Sequence, residues 1–362
     1  MSGQSLERPA LISVADINAR LVADIRSVVP LLLPAGHQRG GEWTEASTKR
    51  GGLGDSLSVC MDGARAGIWC HFATGAAGDL VDLIAYVRTG GDKPAAVRWA
   101  KDFLGHGVAA DGAGAAAALA RARASAKARE RQHRAESERK RAWAQAMWLD
   151  APKVKPGDVV DRYLSSRGIG LLQLGRAPGC LRAGHSLRHA SGGEWPAMLA
   201  AVIGPDGEHM ATHRTYLTPA GTKADVEPVK SVLGLFLGGH VPVWKGEHRA
   251  SLRTLPEGVP VYISEGIEDG LSAALLTPAA RVIAAVSLGN MAKVALPPHV
   301  REVVLLGQND PETLPDGRPH PAVVAMQTAI DAHAKAGRLV RVARPPAGIK
   351  DFNDWIRLGS AA

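Results

Sequence analysis

The sequence predicts an α/β protein: a C-terminal parallel sheet with flanking helices, preceded by a mixed α+β subdomain and a small α+β N-terminal domain. Three observations carry this. Short apolar runs at 259–263, 282–286, 303–307 and 339–342 are separated by segments of helical spacing, the pattern of parallel strands with crossover helices. Residues 195–245 alternate strand-like runs with turns: 198–203, then Pro205-Asp206-Gly207, then 210–217 as an antiparallel partner. Between 30 and 105, Trp43, Leu57, Val59 and Trp69 fall in short segments separated by glycine-rich turns, as in a small sheet.

Taken in order, residues 1–29 predict a helix, with Val14, Ile17, Leu21 and Ile25 at helical spacing. Thr74-Gly75 and Gly78-Asp79 predict turns before a helix carrying Leu80, Leu83, Ile84 and Val87. Residues 106–118 are rich in Gly and Ala and read as a linker entering a helix that runs to 150. That helix is strongly basic, with Arg121, Arg123, Lys127, Arg129, Arg131, Arg134, Arg139, Lys140 and Arg141 partly offset by Glu130, Glu136 and Glu138. It fits a solvated spacer, with a phosphate-contacting arm as the alternative. Tyr163 and Leu164 mark one face of a helix that ends at Gly168, and a last long helix spans 321–336. The expected domains are therefore 1–105, 106–150 as a basic helical linker, 151–250 and 251–362.

With 46% hydrophobic residues the chain can bury proper cores, and its formal net charge of +8 favours an anionic partner. Cys60, Cys70 and Cys180 form no CxxC pair, which excludes a disulfide framework and a four-cysteine zinc site. No apolar run reaches the roughly 18 residues of a membrane helix. The N-terminus lacks a leader pattern, so a reducing, cytoplasmic setting without membrane contact is expected. No GxxxxGK[ST] phosphate loop is present, which excludes a helicase motor in this stretch.

The chemistry is expected at strand ends. The run 259–263 stops at Ser264-Glu265-Gly266 and a helical pattern follows, so Glu265 stands at the carboxyl end of a strand. Asp269 lies one helical turn on and shares that face. The run 303–307 leads into Gln308-Asn309-Asp310, and 339–342 leads into Gly348-Ile349-Lys350-Asp351-Phe352-Asn353-Asp354. Acidic clusters after parallel strands converge on one sheet edge, which is what a divalent metal needs.

Residues 255–356 resemble the Toprim domain of bacterial-type primases, topoisomerases and some nucleases, with its glutamate after the first strand and its acidic motif after the third. The resemblance implies Glu265, Asp310 and Asp351 as catalytic, metal-holding residues for Mg²⁺ or Mn²⁺, supported by Asp269, Gln308 and Asp354. Gln308 stands where the family has aspartate, which lowers the negative charge of the site. Residues 151–250 resemble the subdomain that precedes the metal domain in phage and plasmid primases, through Tyr163-Leu164, Arg167-Gly168 and a following lysine segment. That resemblance implies Arg167, Arg214 and Lys230 as contacts to nucleotide or DNA phosphates.

Phe72, Gly75, Gly78, Asp79 and Asp82 resemble the end of the zinc-binding domain of DnaG-type and phage primases. Leu33-Pro34-Ala35-Gly36-His37 replaces the first ligand pair and only Cys70 remains of the second, so a zinc-ribbon-like domain held by packing, with no zinc, is expected.

The whole resemblance implies a primase-like nucleotidyltransferase acting on a single-stranded DNA template with nucleoside triphosphates. Because the sequence ends soon after the last acidic motif, a replicative helicase is expected as a separate partner. The alternatives are a metal-dependent nuclease on the same fold, and a DNA-binding replication accessory with a decayed site.

Overall fold

The computed structural model describes residues 13–46, 55–71, 75–105 and 112–359. Phe72 and Thr74, the first twelve residues, and the start of the Gly/Ala linker lie outside them, as do the side chains of Arg121, Arg123 and Arg129. The chain divides into two compact units, 1–136 and 137–362. Among the described residues no helix is long and apolar enough to cross a membrane.

In the first unit the single helix expected over 1–29 is instead two, α1 (Val14–Ala23) and α2 (Ile25–Leu32). Ser13 caps α1 by accepting the Asp16 N–H at 3.2 Å. The chain breaks at Asp24, whose N–H closes α1 onto Arg20 and Leu21. The break lets Ile17 and Leu21 on one helix and Val28 and Val29 on the other all become buried, while Val14 stays half exposed.

A five-stranded antiparallel meander follows: β1 (His37–Arg39), β2 (Glu42–Ala46), β3 (Asp55–Cys60), β4 (Trp69–His71) and β5 (Ala76–Gly78). Leu57, Val59 and Trp69 from this sheet pack with Leu80, Leu83 and Ile84 of α3 (Leu80–Arg88) in one apolar cluster. Helix α4 (Lys93–Gly105) adds Ala96 and Ala100.

The Gly-Asp-x-x-Asp pattern has a structural reading here. Asp79 accepts the Asp82 N–H at 3.0 Å and caps α3. Any Cβ on Gly78 would collide with the Asp82 side chain, which reaches Lys93 at 2.8 Å.

Helix α5 (Gly112–Asp150) is 39 residues long and belongs to both units. Its described basic side chains Lys127, Arg131, Arg134, Arg139, Lys140 and Arg141 are exposed. Its end is no solvated spacer, however. Ala144 is buried and its carbonyl accepts the Thr212 hydroxyl at 2.7 Å, while the Trp148 indole donates to the Cys180 carbonyl at 2.8 Å.

In the second unit, α6 (Val159–Ser166) starts under an Asp158 cap and buries Tyr163 and Leu164, and the short α7 (Leu171–Leu174) follows. Strands β6 (Leu181–Arg188), β7 (Glu194–Ile203), β8 (His209–Tyr216) and β9 (Lys230–Gly234) form an antiparallel sheet in chain order. The expected hairpin is β7 with β8, in the register Ala200 opposite His213.

The C-terminal sheet contains β10 (Val241–Trp244), β11 (Val261–Ser264), β12 (Arg281–Ala284), β13 (Glu302–Leu306) and β14 (Leu339–Ala343), in the order β10-β12-β11-β13-β14. The last four are mutually parallel, as the apolar runs predict. β10 adds an antiparallel edge from ahead of residue 250. One apolar core accordingly runs from Tyr163 and Met198 to Leu271 and Phe352 without a break. Helices α8 (Ile267–Leu276), α9 (Leu288–Met291), α10 (Pro321–Lys335) and α11 (Phe352–Gly359) complete the layer.

Candidate active site

Parallel pairing places the ends of β11, β13 and β14 on one edge, and the chain beyond each of them is polar. Glu265 leaves β11 and immediately precedes α8, which can press on the strand because position 270 is glycine: a Cβ there would stand 2.6 Å from the Ser264 hydroxyl. Burial pushes the Glu265 carboxyl up, the Lys230 charge and the Leu288 N–H pull it back down, and Asp310 pushes it up again. The turn that presents Leu288 contains Val286 at φ 73°, a left-handed conformation that a β-branched residue seldom takes. Backbone strain of this kind gathers where geometry is over-determined.

A pocket of about 280 Å³ opens at this edge and brings together Arg167, Lys230, Glu265, Asp269, Gln308 and Asp351. Glu265 and Gln308 also line an adjoining narrow cleft, with Asp310 and Arg344 on its far wall. Six of the nine residues singled out in the sequence therefore share one pocket, and Asp310 stands next door.

Two do not join them. Asp354 lies on α11 facing Arg357 at 3.7 Å. Arg214 lies on the opposite face of the antiparallel sheet: along β8, His213 lines the acidic pocket, whereas Arg214 and Tyr216 line a cleft on the reverse side. Strand alternation dictates this separation, since Lys230 sits opposite Thr215 in the register and Ser231 opposite Arg214.

Each pocket carboxylate has its own surroundings. Asp269 is 6% exposed; its Oδ1 accepts the N–H groups of Phe352 at 2.8 Å and Asn353 at 3.2 Å, so it pins the start of α11 to α8. Its Oδ2 is buried without a hydrogen-bond partner. Burial and the neighbouring Asp351 push this carboxyl up to about 7. Asp351 accepts the Asp354 N–H at 2.7 Å, the capping arrangement expected at a helix start. Arg167 is held through its carbonyl by the Asn353 amide at 2.8 Å, and its Nε is buried and unpartnered.

One residue was missed by the sequence reading. Glu268, 5% exposed, accepts the Tyr163 hydroxyl at 2.6 Å and pairs with Lys230 at 3.0 Å. Burial alone would push its carboxyl up, but Lys230 and the Tyr163 hydroxyl outweigh that and hold it at about 2. Burial and the Glu268 charge drive the Tyr163 hydroxyl in the other direction, well above its ordinary range. Burial and Lys230 lower the His213 imidazole to about 4, so it is neutral beside the pair. Glu268 thus ties α6, α8 and β9 together and fixes the ammonium group at the pocket wall. Its signal was present: on a helix, residues three apart face one side as well as residues four apart, so Glu268 was as eligible as Asp269.

Residues 260–362 match the family model of the Toprim domain. The C-terminal segment is a Toprim domain. Residues 138–243 match a domain of unknown function, DUF7146. No curated protein matches the chain significantly.

Among solved structures, the zinc-binding and RNA polymerase domains of the Aquifex aeolicus primase share 15% identity, with 95% of this chain and 82% of that one covered, at a TM-score of 0.37. A DNA primase domain from Pseudomonas aeruginosa shares 15% identity over 60% of this chain and 74% of that one, at a TM-score of 0.39. The primase fragment of the bacteriophage T7 primase-helicase shares 13% identity over 60% and 81%, at a TM-score of 0.33. These likenesses are remote, and the Toprim assignment rests on the family match and the parallel sheet.

Proposed function

We propose that the chain is a primase-type nucleotidyltransferase that makes short primers on single-stranded DNA in phage, plasmid or mobile-element replication. The observation that carries this reading is the pocket at the Toprim strand ends, where Glu265, Gln308 and Asp351 face Arg167 and Lys230. Carboxylates beside fixed cations suit a triphosphate, whose charge needs both hard oxygen donors for its metal and direct ammonium or guanidinium contacts.

The donors at this edge suit a hard divalent cation: the Glu265 and Asp351 carboxylates and the Gln308 amide line the pocket, one Asp269 oxygen is unpartnered, and Asp310 lines the adjoining cleft. Among the described residues no three His, Cys, Asp or Glu side chains stand at metal-binding spacing, so one or two carboxylates with water are the support available, as is usual for Mg²⁺. When bound, Mg²⁺ or Mn²⁺ would lower the pKa of the attacking hydroxyl and balance charge on the leaving pyrophosphate.

The chain's own side chains do the positioning. Lys230, paired with Glu268, and Arg167, whose backbone carbonyl is held by Asn353, are the groups that would hold phosphate oxygens. The Tyr163 hydroxyl orients the Glu268 carboxylate that pairs with Lys230. Gln308 favours a second reading, a DNA-binding accessory with a weakened site.

Primer synthesis with labelled nucleotides and Mg²⁺ or Mn²⁺ on single-stranded DNA, comparing wild type with Glu265→Ala, separates the readings. Short products that fall at least about 100-fold in the variant support the polymerase, since loss of a metal-holding or charge-stabilising group costs that order. Template shortening lost in the variant replaces it with the nuclease. No turnover by either protein, with salt-sensitive DNA binding retained, replaces it with the accessory.

A further inference from the structure

A cleft of about 1030 Å³ lies on the reverse face of the β6–β9 sheet, and the proposed chemistry does not use it. Its floor is strand: Leu187 on β6, Leu199 on β7, Arg214 and Tyr216 on β8, Ser231 on β9. Its wall is the end of α5, with Trp143 and Met147. Trp143 is 62% exposed at the rim, a large indole that the fold leaves open.

The polar groups inside are donors in search of acceptors. Arg214 Nε and Ser231 Oγ are both buried and have no hydrogen-bond partner. Arg214 lies with its guanidinium 5.9 Å from the Tyr216 ring centroid. Arg188 and His185 add exposed donors at the mouth, against one exposed carboxylate, Asp150. A buried donor left unsatisfied is costly, and nearly all such groups in folded proteins have partners.

Each half of this lining excludes a simple occupant. A small inorganic anion would satisfy Arg214 but leave the apolar floor wet. A purely apolar ligand would cover Trp143, Met147 and Leu187 but leave the buried Arg214 donor without a partner. A ligand with a flat aromatic body and an anionic end meets both demands, and aromatic side chains beside guanidinium groups are how proteins hold bases and phosphates together.

We propose that this cleft binds a purine nucleotide at a site separate from the acidic pocket, the base against Trp143 and the phosphate against Arg214 and Arg188. The site shares its strands with the acidic pocket on the other face. Arg214 is flanked along β8 by His213, and Ser231 follows Lys230 on β9, both of which line the acidic pocket.

The test uses the full chain in EDTA with two photoaffinity probes, 8-azidoadenosine and 8-azidoguanosine 5′-diphosphate, and maps the labelled peptides by mass spectrometry. Saturable labelling by either probe at the α5 end or at β8, lowered at least about 10-fold in both Arg214→Ala and Trp143→Ala and unchanged in Glu265→Ala, is the expected result. Trp143 is exposed, so its variant reports binding even if Arg214→Ala fails to fold. Labelling confined to peptides of the acidic pocket overturns the proposal, as does labelling indifferent to both cleft variants. Binding of an anionic apolar dye to the cleft with no saturable labelling by either purine also overturns it, in favour of a partner surface.

Because Glu265→Ala leaves the cleft intact, failure here and failure of primer synthesis are read from different variants.

Discussion

In the N-terminal sheet every strand runs against its neighbour, whereas β12, β11, β13 and β14 of the Toprim sheet all run the same way. Antiparallel strands put consecutive strand ends on opposite edges, so polar residues after each strand are scattered. Parallel strands put them on one edge. Glu265, Gln308 and Asp351 meet for that topological reason, although 86 positions separate the first from the last in the sequence. In the first unit the acidic residues that stand out, Asp79 and Asp82, are spent on a helix cap and a lysine contact. The lesson is that an acidic motif is a chemical hypothesis when its strand is parallel to its neighbours, and a capping hypothesis first when it is not.

The sharpest way to break this comparison is through Glu268, an acid on the reactive edge that we read as structural. Glu268→Ala leaves Lys230 and Tyr163 facing a gap. The expected loss is about 3 kcal/mol, the low end for breaking a buried pair because the Lys230 side chain is 36% exposed. The pH dependence has a definite sign. The folded carboxyl, at about 2, lies below its ordinary 4.5, so the stability it contributes is complete above 4.5 and is lost as pH falls toward 2. Urea midpoints of wild type and Glu268→Ala should differ widely at pH 7 and draw together near pH 3. A constant gap across that range would remove the charge from the explanation and leave only packing.

Much of the second unit was legible because its signals are local. Each apolar run with its polar stop is a strand and its end, which brings Glu265, Asp310 and Asp351 into view, and the Toprim resemblance singles them out among the polar residues there. Three features were not legible, for physical reasons. Whether Arg214 or His213 faces the pocket depends on the β8–β9 register, which long-range pairing sets. The antiparallel addition of β10 is likewise a pairing between distant segments. The break at Asp24 follows from the tertiary demand that both helices face one core, while the periodicity of the stretch runs through it.

A second prediction sharpens the capping side of the comparison. Asp79→Ala removes the acceptor at the start of α3 and should cost the first unit about 1 kcal/mol, with Asp79→Asn or Asp79→Ser restoring most of it. Rescue by an uncharged cap is the discriminating readout, because a metal-binding role for Asp79 would not tolerate it. Hydrogen exchange over 80–88 measures the effect where it arises, independently of the second unit.

The smallest expected effect is nil, and it tests whether the first unit folds without metal. Cys70 lies on β4 beside Trp69 and His71, in register with Ser58, and Cys60 ends β3 with its thiol on the Asp62 carbonyl at 3.3 Å. The ring of the buried His71 lies 5.8 Å from that of Tyr86 at a tilt of 45°, on the side of the sheet that carries Trp69. Alternation along β4 puts Cys70 and His71 on opposite faces, so two neighbours in sequence cannot share one ion. What holds the unit is Val59, Trp69, Leu80, Leu83 and Ile84, each nearly or fully buried. A structural zinc contributes folding free energy outright, so its removal melts the domain that depends on it. Cys70→Ser and overnight chelation should each leave the thermal midpoint of the first unit unchanged within about 1 °C, where a cavity of even one methyl would register. A chelator-induced drop, with zinc released in stoichiometric amount, would break the comparison at its root, since the antiparallel sheet would then have gathered ligands that its topology keeps apart.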